Sequence, residues 1–366
     1  MSCHGACGIP GCELLSSPVS VALLGYGRFG RAFADLCREA NASVRAFDPY
    51  APVPEVLRAG SLSELVVGAK FVVLAVPLEQ FESALTALCA HLTPAQVVLD
   101  VGSVKVMPSE VMTRLFGSVQ PWVATHPLFG PASLARGERP LRVVVCPNPA
   151  HPQAVTEVEE FLRSVGCQTV GLSAEVNDRQ MALTHALTFF VAKGMLDVGV
   201  PTDSAHAPPS FQGMARTIEA VRVDAGHLLP ALHRFNPFAA RARQDLLRAL
   251  KGIDIALDAR GPELQAKDAA SLAIPDLGDL SPALRETREL IDELDQELLA
   301  VLERRAVLSK RAGASKAALG ADVKDAAREA RVLETRRGWA KDRGLDPDDI
   351  ESIFEAILRF SRSIQG

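Results

Sequence analysis

The sequence predicts an α/β domain, a parallel sheet covered by helices on both faces, followed by two all-α domains. From Val19 to about Pro147 short apolar runs alternate with helical stretches, the pattern of a parallel sheet with crossover helices. From Ala174 to about Asp258 the apolar spacing becomes long and helical, without strand punctuation. A third region begins near Leu284 with apolar residues at three-four spacing. At 366 residues the chain is too long for one compact core.

The expected divisions are a flexible N-terminal tail at 1–18, the sheet domain at 19–172, a helical domain at 173–260, a linker at 261–280 and a last domain at 281–366. The linker rests on lost periodicity and on Gly261, Pro262, Pro275 and Gly278. In the tail Cys3, His4, Cys7 and Cys12 fit no standard zinc spacing and stand among Gly5, Gly8 and Gly11, so a frayed end with no metal is expected. Charged residues make up 23% and the formal net charge is −5. That gives neither the basic stripe of a nucleic-acid binder nor a membrane-surface patch, while small anionic ligands stay open. The longest apolar runs, 71–77 and 142–146, are strand-sized. Seven thinly spread cysteines and no secretory pattern predict a soluble, cytoplasmic protein.

Strands are expected at 21–24, 44–47, 71–76, 97–101, 122–125 and 143–146. Directly after the first, Gly25-Tyr26-Gly27-Arg28-Phe29-Gly30 opens a helix. Its glycines allow a tight turn and close approach of backbone to a pyrophosphate, and the helix N-terminus favours negative charge. Asp48 closes the next strand, where a carboxylate accepts the hydrogen bonds of an adenosine ribose, although it also suits a turn before Pro49. A carboxylate there repels a 2′-phosphate and favours NAD over NADP, with Arg28 and Arg45 acting against that preference. The first domain therefore reads as a Rossmann-type dinucleotide-binding domain.

Two more segments fall at strand ends, where ligands sit in doubly wound sheets. They are Asp100-Val101-Gly102-Ser103-Val104-Lys105 and Thr125-His126-Pro127-Leu128-Phe129-Gly130-Pro131. A neutral His126 can take the proton of an alcohol as hydride leaves the same carbon, with Ser103 orienting both. Singly, such residues are ordinary: a loop histidine and a turn serine.

Together with Ala75-Val76-Pro77, these motifs resemble the prephenate and arogenate dehydrogenases over roughly 19–258. The resemblance implies that His126 is the catalytic base at the C4 hydroxyl of prephenate and that Ser103 hydrogen-bonds in the same site. It makes Gly25, Tyr26, Gly27, Arg28, Phe29, Gly30, Asp48, Val76, Pro77 and Ser103 cofactor-binding positions. Loss of the ring carboxylate as CO2 would yield 4-hydroxyphenylpyruvate. Members of the family often carry a histidine where this chain reads Leu187-Thr188-Phe189-Phe190; His185 stands one turn earlier. The family's substrate-binding arginine falls at Arg216 or Arg222, which the sequence leaves open, and Asn236-Pro237-Phe238 fits a motif of that domain.

In the last region Ile291, Leu294, Leu298, Val301, Leu308 and Ala312 predict one long helix with a partner-facing seam. Arg305 occupies that seam and needs an anionic partner there, a salt bridge or a ligand. Lys316 follows by 11 residues and shares its face, while Arg288, 17 residues earlier, points about 100° away. The domain resembles the all-helical, three-helix chorismate mutases from about Arg288 to Gln365. The resemblance implies catalytic roles for Arg305, Lys316, Glu329 and Gln365, and substrate binding by Arg288, Asp325, Arg328 and Ser361. It also implies an intertwined homodimer in which Arg288 serves the other protomer's site. Gly338 is expected to interrupt the middle helix. A bifunctional enzyme of tyrosine biosynthesis follows, converting chorismate to prephenate and oxidising prephenate with NAD. The alternatives are an arogenate dehydrogenase with a mutase-like dimerisation module, or another dehydrogenase of similar architecture.

Overall fold

The computed structural model describes residues 18–203, 206–258, 283–320, 322 and 325–365. The expected linker and the tail through residue 17 lie outside the described residues. The chain divides into two units, residues 1–128 with 142–250, and residues 129–141 with 251–366.

In the first unit the sheet strands are β1 (Ser20–Leu24), β2 (Ser43–Phe47), β3 (Phe71–Leu74), β4 (Val97–Asp100), β5 (Trp122–Pro127), β6 (Leu141–Val145, its first residue assigned to the second unit) and β7 (Cys167–Gly171). Between them run α1 (Arg28–Glu39), α2 (Leu62–Val66), α3 (Phe81–Cys89), α4 (Val106–Phe116), α5 (Pro131–Ala135, within the second unit) and α6 (Pro152–Ser164). The strand order is β2-β1-β3-β4-β5-β6-β7. β1 to β5 are parallel, but β6 pairs antiparallel with β5, Thr125 facing Val145. The sequence reading had six strands of a parallel sheet. Cys167-Gln168-Thr169-Val170-Gly171 escaped it because this edge strand is largely exposed and carries no apolar run. β3 and β4 end earlier than expected, at Leu74 and Asp100.

β1, β3 and β4 are largely apolar and almost wholly buried, as strands covered on both faces must be, while β2 at the edge alternates exposed and buried residues. Their C-terminal ends gather at one edge, Leu24 beside Phe47 and Leu74, and Leu74 beside Asp100. The order reverses between β1 and β3, which puts the ligand crevice of such sheets there.

Helices α7 (Ala174–Met181), α8 (Leu187–Asp197), α9 (Pro209–Phe235) and α10 (Ala239–Asp258) follow, with a π-helical turn at Ala182–Ala186 joining α7 to α8. Ala182, Ala186, Phe189, Ile218 and Leu232 bury a second core, and Val104 from the loop after β4 packs into it. That contact seats the helices on the sheet's ligand edge.

The second unit contains α11 (Ala283–Ala318), α12 (Ala326–Asp342) and α13 (Pro347–Ser363). Gly338 does not interrupt α12, contrary to the sequence expectation; one glycine costs only about 1 kcal/mol against alanine, and packing against α13 outweighs it. Gly313 has a definite role: a Cβ there would stand 2.9 Å from the Gln365 carbonyl, so glycine admits the chain's last turn against α11. Among the described residues no helix is long and apolar enough to cross a membrane, and no group of acidic, histidine and cysteine side chains could hold a metal ion.

Candidate functional site

The glycine loop behaves as its sequence requires. Gly25 has φ +101°, and a Cβ on it would lie 2.4 Å from the Ala75 carbonyl; one on Gly30 would lie 2.2 Å from the Gly25 carbonyl. Both are therefore fixed as glycine by backbone. At Gly27 a Cβ would meet nothing within 4 Å, and no side chain caps α1. Open space above uncapped N–H groups at a helix start fits a dinucleotide's pyrophosphate. Tyr26 is buried, Arg28 is exposed and Phe29 is half-buried, and just past β3 Val76 is half-buried and Pro77 exposed.

Asp48 ties this loop to the end of β2. Its carboxylate accepts from the Tyr26 N–H at 2.7 Å, Tyr50 at 2.8 Å and Ala51 at 2.9 Å. The turn reading of Asp48 is what the bonds show: three of about four acceptor sites hold the turn and the loop, and one acceptor site remains.

Past β4 and β5 lies a buried polar network. Lys105 is fully buried, and its ammonium donates to Asp100 and to the Thr125 carbonyl. Burial raises the Asp100 carboxyl, which the paired ammonium only partly offsets. His126, 3% exposed, places Nδ1 3.0 Å from Asn177 Oδ1. Asn177 spends its amide N–H groups on the Ser103 carbonyl and on Asp178. Its oxygen must therefore accept from His126, which puts the imidazole proton on Nδ1 and leaves Nε2 as an acceptor. The Ser103 carbonyl holds the network together; its hydroxyl has no partner among the described residues.

Asp178 explains how α7 is placed. Its carboxylate accepts from the Lys105 and Val106 N–H groups at 2.7 and 2.9 Å, the first turn of α4, which has no cap of its own. A carboxylate there satisfies orphan donors and the positive helix end. Asn236 Nδ2 donates to the Asp178 carbonyl, and Asn236 Oδ1 accepts from Phe238, which accounts for the Asn236-Pro237-Phe238 motif. Sequence reasoning missed Asn177 and Asp178, although a signal existed. Asp178, Ala182, Ala186 and Phe189 keep helical spacing, so a carboxylate sat on the stripe that forms the helical core.

Burial first and the Lys105 charge second press the His126 imidazole down to about 3, while the Asn177 bond opposes them and a charged His185 adds to them. His185, carried by the π turn and edge-on to Phe189, is therefore close enough to sense His126. Such single-turn bulges often mark functional sites. Of the two candidate arginines, Arg222 pairs with Glu219 on the exposed face of α9, and Arg216 is exposed as well.

A depressed histidine makes the fold acid-sensitive. Unfolded, His126 takes a proton near its ordinary 6.5; folded, it resists until about 3. Its contribution is full above pH 6.5 and is lost as pH falls, by about 1.4 kcal/mol per unit. Asp100 and Asp178, both raised mainly by burial, act with the opposite sign. Urea unfolding from pH 7 to 4.5 should show a smaller loss of stability in His126→Asn than in wild type; equal slopes would mean His126 is protonated in the folded protein.

In the second unit Arg305 on α11 donates to the Ser361 hydroxyl and, at 3.5 Å, to the Ile357 carbonyl. No carboxylate pairs with it among the described residues. Ser361 is buried, and its hydroxyl donates to Ile357. Glu329 accepts from Arg362 at 2.7 Å, and Asp325 caps α12 through the Arg328 N–H, with Arg328 exposed. Gln365 is packed on Gly313, its Oε1 buried without a partner. Lys316 is half-buried on the Arg305 face of α11. Arg288 lies in the first turns of α11, its side chain outside the described residues.

A sheet with a glycine loop at its switch point, a dry histidine at a neighbouring strand end and an appended helical core define a dinucleotide-dependent dehydrogenase fold. The comparisons sharpen this. Residues 57–171 match the model of the prephenate dehydrogenase nucleotide-binding domain, and residues 287–366 match type II chorismate mutase. Two separate stretches of the chain thus match known families, one a prephenate dehydrogenase domain and the other type II chorismate mutase. A Methanocaldococcus jannaschii protein named probable arogenate/prephenate dehydrogenase is 25% identical over 192 residues, which are 50% of this chain and 42% of that one. The chain thus spans less than half the length of this curated relative. The fold resembles A. aeolicus prephenate dehydrogenase in complex with hydroxyphenyl propionate and NAD+ (17% identity, 77% of this chain and 100% of the other, TM-score 0.55). It also resembles Synechocystis arogenate dehydrogenase (19%, 65% and 92%, 0.51).

Proposed function

We propose that the chain is a bifunctional enzyme of tyrosine biosynthesis, a chorismate mutase joined to an NAD-dependent prephenate dehydrogenase, so that one unit makes the substrate of the other. The observation that carries the dehydrogenase half is the dry, neutral His126, fixed in one tautomer by Asn177 beside a glycine loop that fits a dinucleotide. Bound NAD supplies the hydride acceptor. His126 Nε2 takes the proton of the C4 hydroxyl, Ser103 offers its free hydroxyl, and loss of the ring carboxylate as CO2 completes aromatisation to 4-hydroxyphenylpyruvate. The dianionic substrate counteracts the effects that depress His126, which makes the base stronger when the site is filled.

In the mutase half no proton transfer or nucleophile is needed, only a compact substrate conformer and stabilised charge separation. Arg305 and the partner-supplied Arg288 hold the carboxylates. Lys316 and Gln365 donate to the breaking ether oxygen, Glu329 accepts from the ring hydroxyl, and Asp325, Arg328 and Ser361 complete the surroundings. The protein works as a homodimer in the cytoplasm, binding small molecules and neither nucleic acid nor membrane. Prephenate rather than arogenate is taken as the oxidised substrate, and Arg216, without the surface partner that Arg222 has, is taken as the arginine that meets it.

Supplying chorismate alone should accumulate prephenate, and adding NAD should convert it to 4-hydroxyphenylpyruvate with CO2 release. Chorismate left unchanged removes the mutase; prephenate left unoxidised while arogenate is consumed moves the dehydrogenase to the other substrate. Asp48→Ala should weaken NAD and shift the ratio of NAD to NADP Michaelis constants toward NADP. Asp48→Asn, which keeps an acceptor for the loop, should shift that ratio too. A ratio that stays put in both variants would leave Asp48 only its turn.

A further inference from the structure

We infer that Arg336 is a second guanidinium of the mutase site and joins Arg305 in holding a substrate carboxylate. Arg336 lies on α12, its guanidinium carbon 4.4 Å from the Trp339 ring centroid and 5.6 Å from that of Phe354 on α13. The two rings hold the cation in place through their faces. Its Nε is buried and has no hydrogen-bond partner, an expensive state for a charged donor that has lost its water.

Arg305 reaches the same surface from α11. It contacts Ile357 and Ser361 of α13. Phe354, Ile357 and Ser361 are spaced by three and four, so they share one face of that helix. Two guanidiniums thus approach one helix face from two directions, near enough that the charge of Arg336, after burial, helps push Arg305 below its ordinary value. Neighbouring arginines are treated differently: Arg337 pairs with Asp348 and Glu351, and Arg362 pairs with Glu329. Among the described residues no ion pair or hydrogen bond gives Arg336 an anion, and Arg305 has only the hydroxyl and the carbonyl.

Like charges brought together without a carboxylate, on a surface built by two aromatic rings and a buried serine, call for an anionic ligand with planar acceptors. A carboxylate fits two forked donors. The inference rests on the mutase reading of this unit, whose substrate carries two carboxylates.

Arg336→Met removes the charge and keeps an apolar stem over the rings. The Michaelis constant for chorismate should rise by about tenfold or more, the size of one charged hydrogen bond, with turnover changed less. Prephenate binding, followed by Trp339 emission, should weaken by the same factor, and Arg336→Lys should recover part of it. If Arg336 only packs on Trp339, the variant melts earlier while both constants stay within about twofold of wild type, and the inference is overturned. Where Arg336→Met does not fold, prephenate affinity of Arg336→Lys decides: a loss of about threefold supports a forked contact, and no change overturns it. Wild type and Arg305→Ala together separate the two levels. Wild-type protein that leaves chorismate unchanged sinks the mutase reading itself; turnover present in wild type, lost in Arg305→Ala but unaffected in Arg336→Met sinks only the role of Arg336.

Discussion

Replacing His126 by asparagine should lower dehydrogenase turnover by about 10²-fold or more, the usual share of a positioned base, while NAD binding stays nearly intact. The effect should be large because the structure gives the imidazole no competing task. It is buried, its Nδ1 proton is committed to Asn177, and its other nitrogen is left to accept. Asparagine can keep a bond to Asn177 but has no nitrogen lone pair to take a proton. Cofactor binding should survive because the glycine loop is fixed by Ala75 and Asp48 rather than by His126. Steady-state oxidation of prephenate, with NAD affinity measured separately, checks both halves. Turnover within about threefold of wild type would remove His126 from the base role.

The glycine loop, the strand ends and the long C-terminal helix were legible in the sequence because each is a local pattern: a fixed glycine spacing, short apolar runs, a three-four repeat. What stayed hidden was what depends on segments far apart in the chain. Asp178 caps α4 from 72 residues away, and Asn177 orients His126 across 51; no local periodicity encodes such a partner. The antiparallel turn of β6 was equally non-local, since an apolar run does not say which way its neighbour runs. Gly338 misled in the other direction, as a local penalty that packing overrode. Arg305 was the informative exception. A guanidinium on an apolar seam announces an unmet need in the sequence itself, and the structure leaves that need without a carboxylate.

Coexpressed Arg288→Ala and Arg305→Ala protomers should regain mutase activity that neither variant shows alone. The two residues stand on one helix, 17 positions apart, which is some 25 Å along the axis at about 1.5 Å per residue and a rotation of about 100°. A substrate built on one six-membered ring cannot touch both. If each site takes Arg305 from one chain and Arg288 from the other, a heterodimer holds one site with both defects and one with neither, and about half of wild-type activity returns per heterodimer. The surface of α11 supports such pairing. Ile291, Leu294, Leu298, Val301 and Leu308 are between 42% and 62% exposed in the single chain, an apolar stripe at helical spacing that a second copy would cover. Arg305, by contrast, is already engaged with its own chain's α13, so the missing cation is the one at the far end of the helix. Subunit exchange through an intertwined interface is slow, which makes coexpression with two affinity tags preferable to mixing. Purified heterodimers, checked for both chains, that are no more active than either parent would mean that each site is completed within one chain.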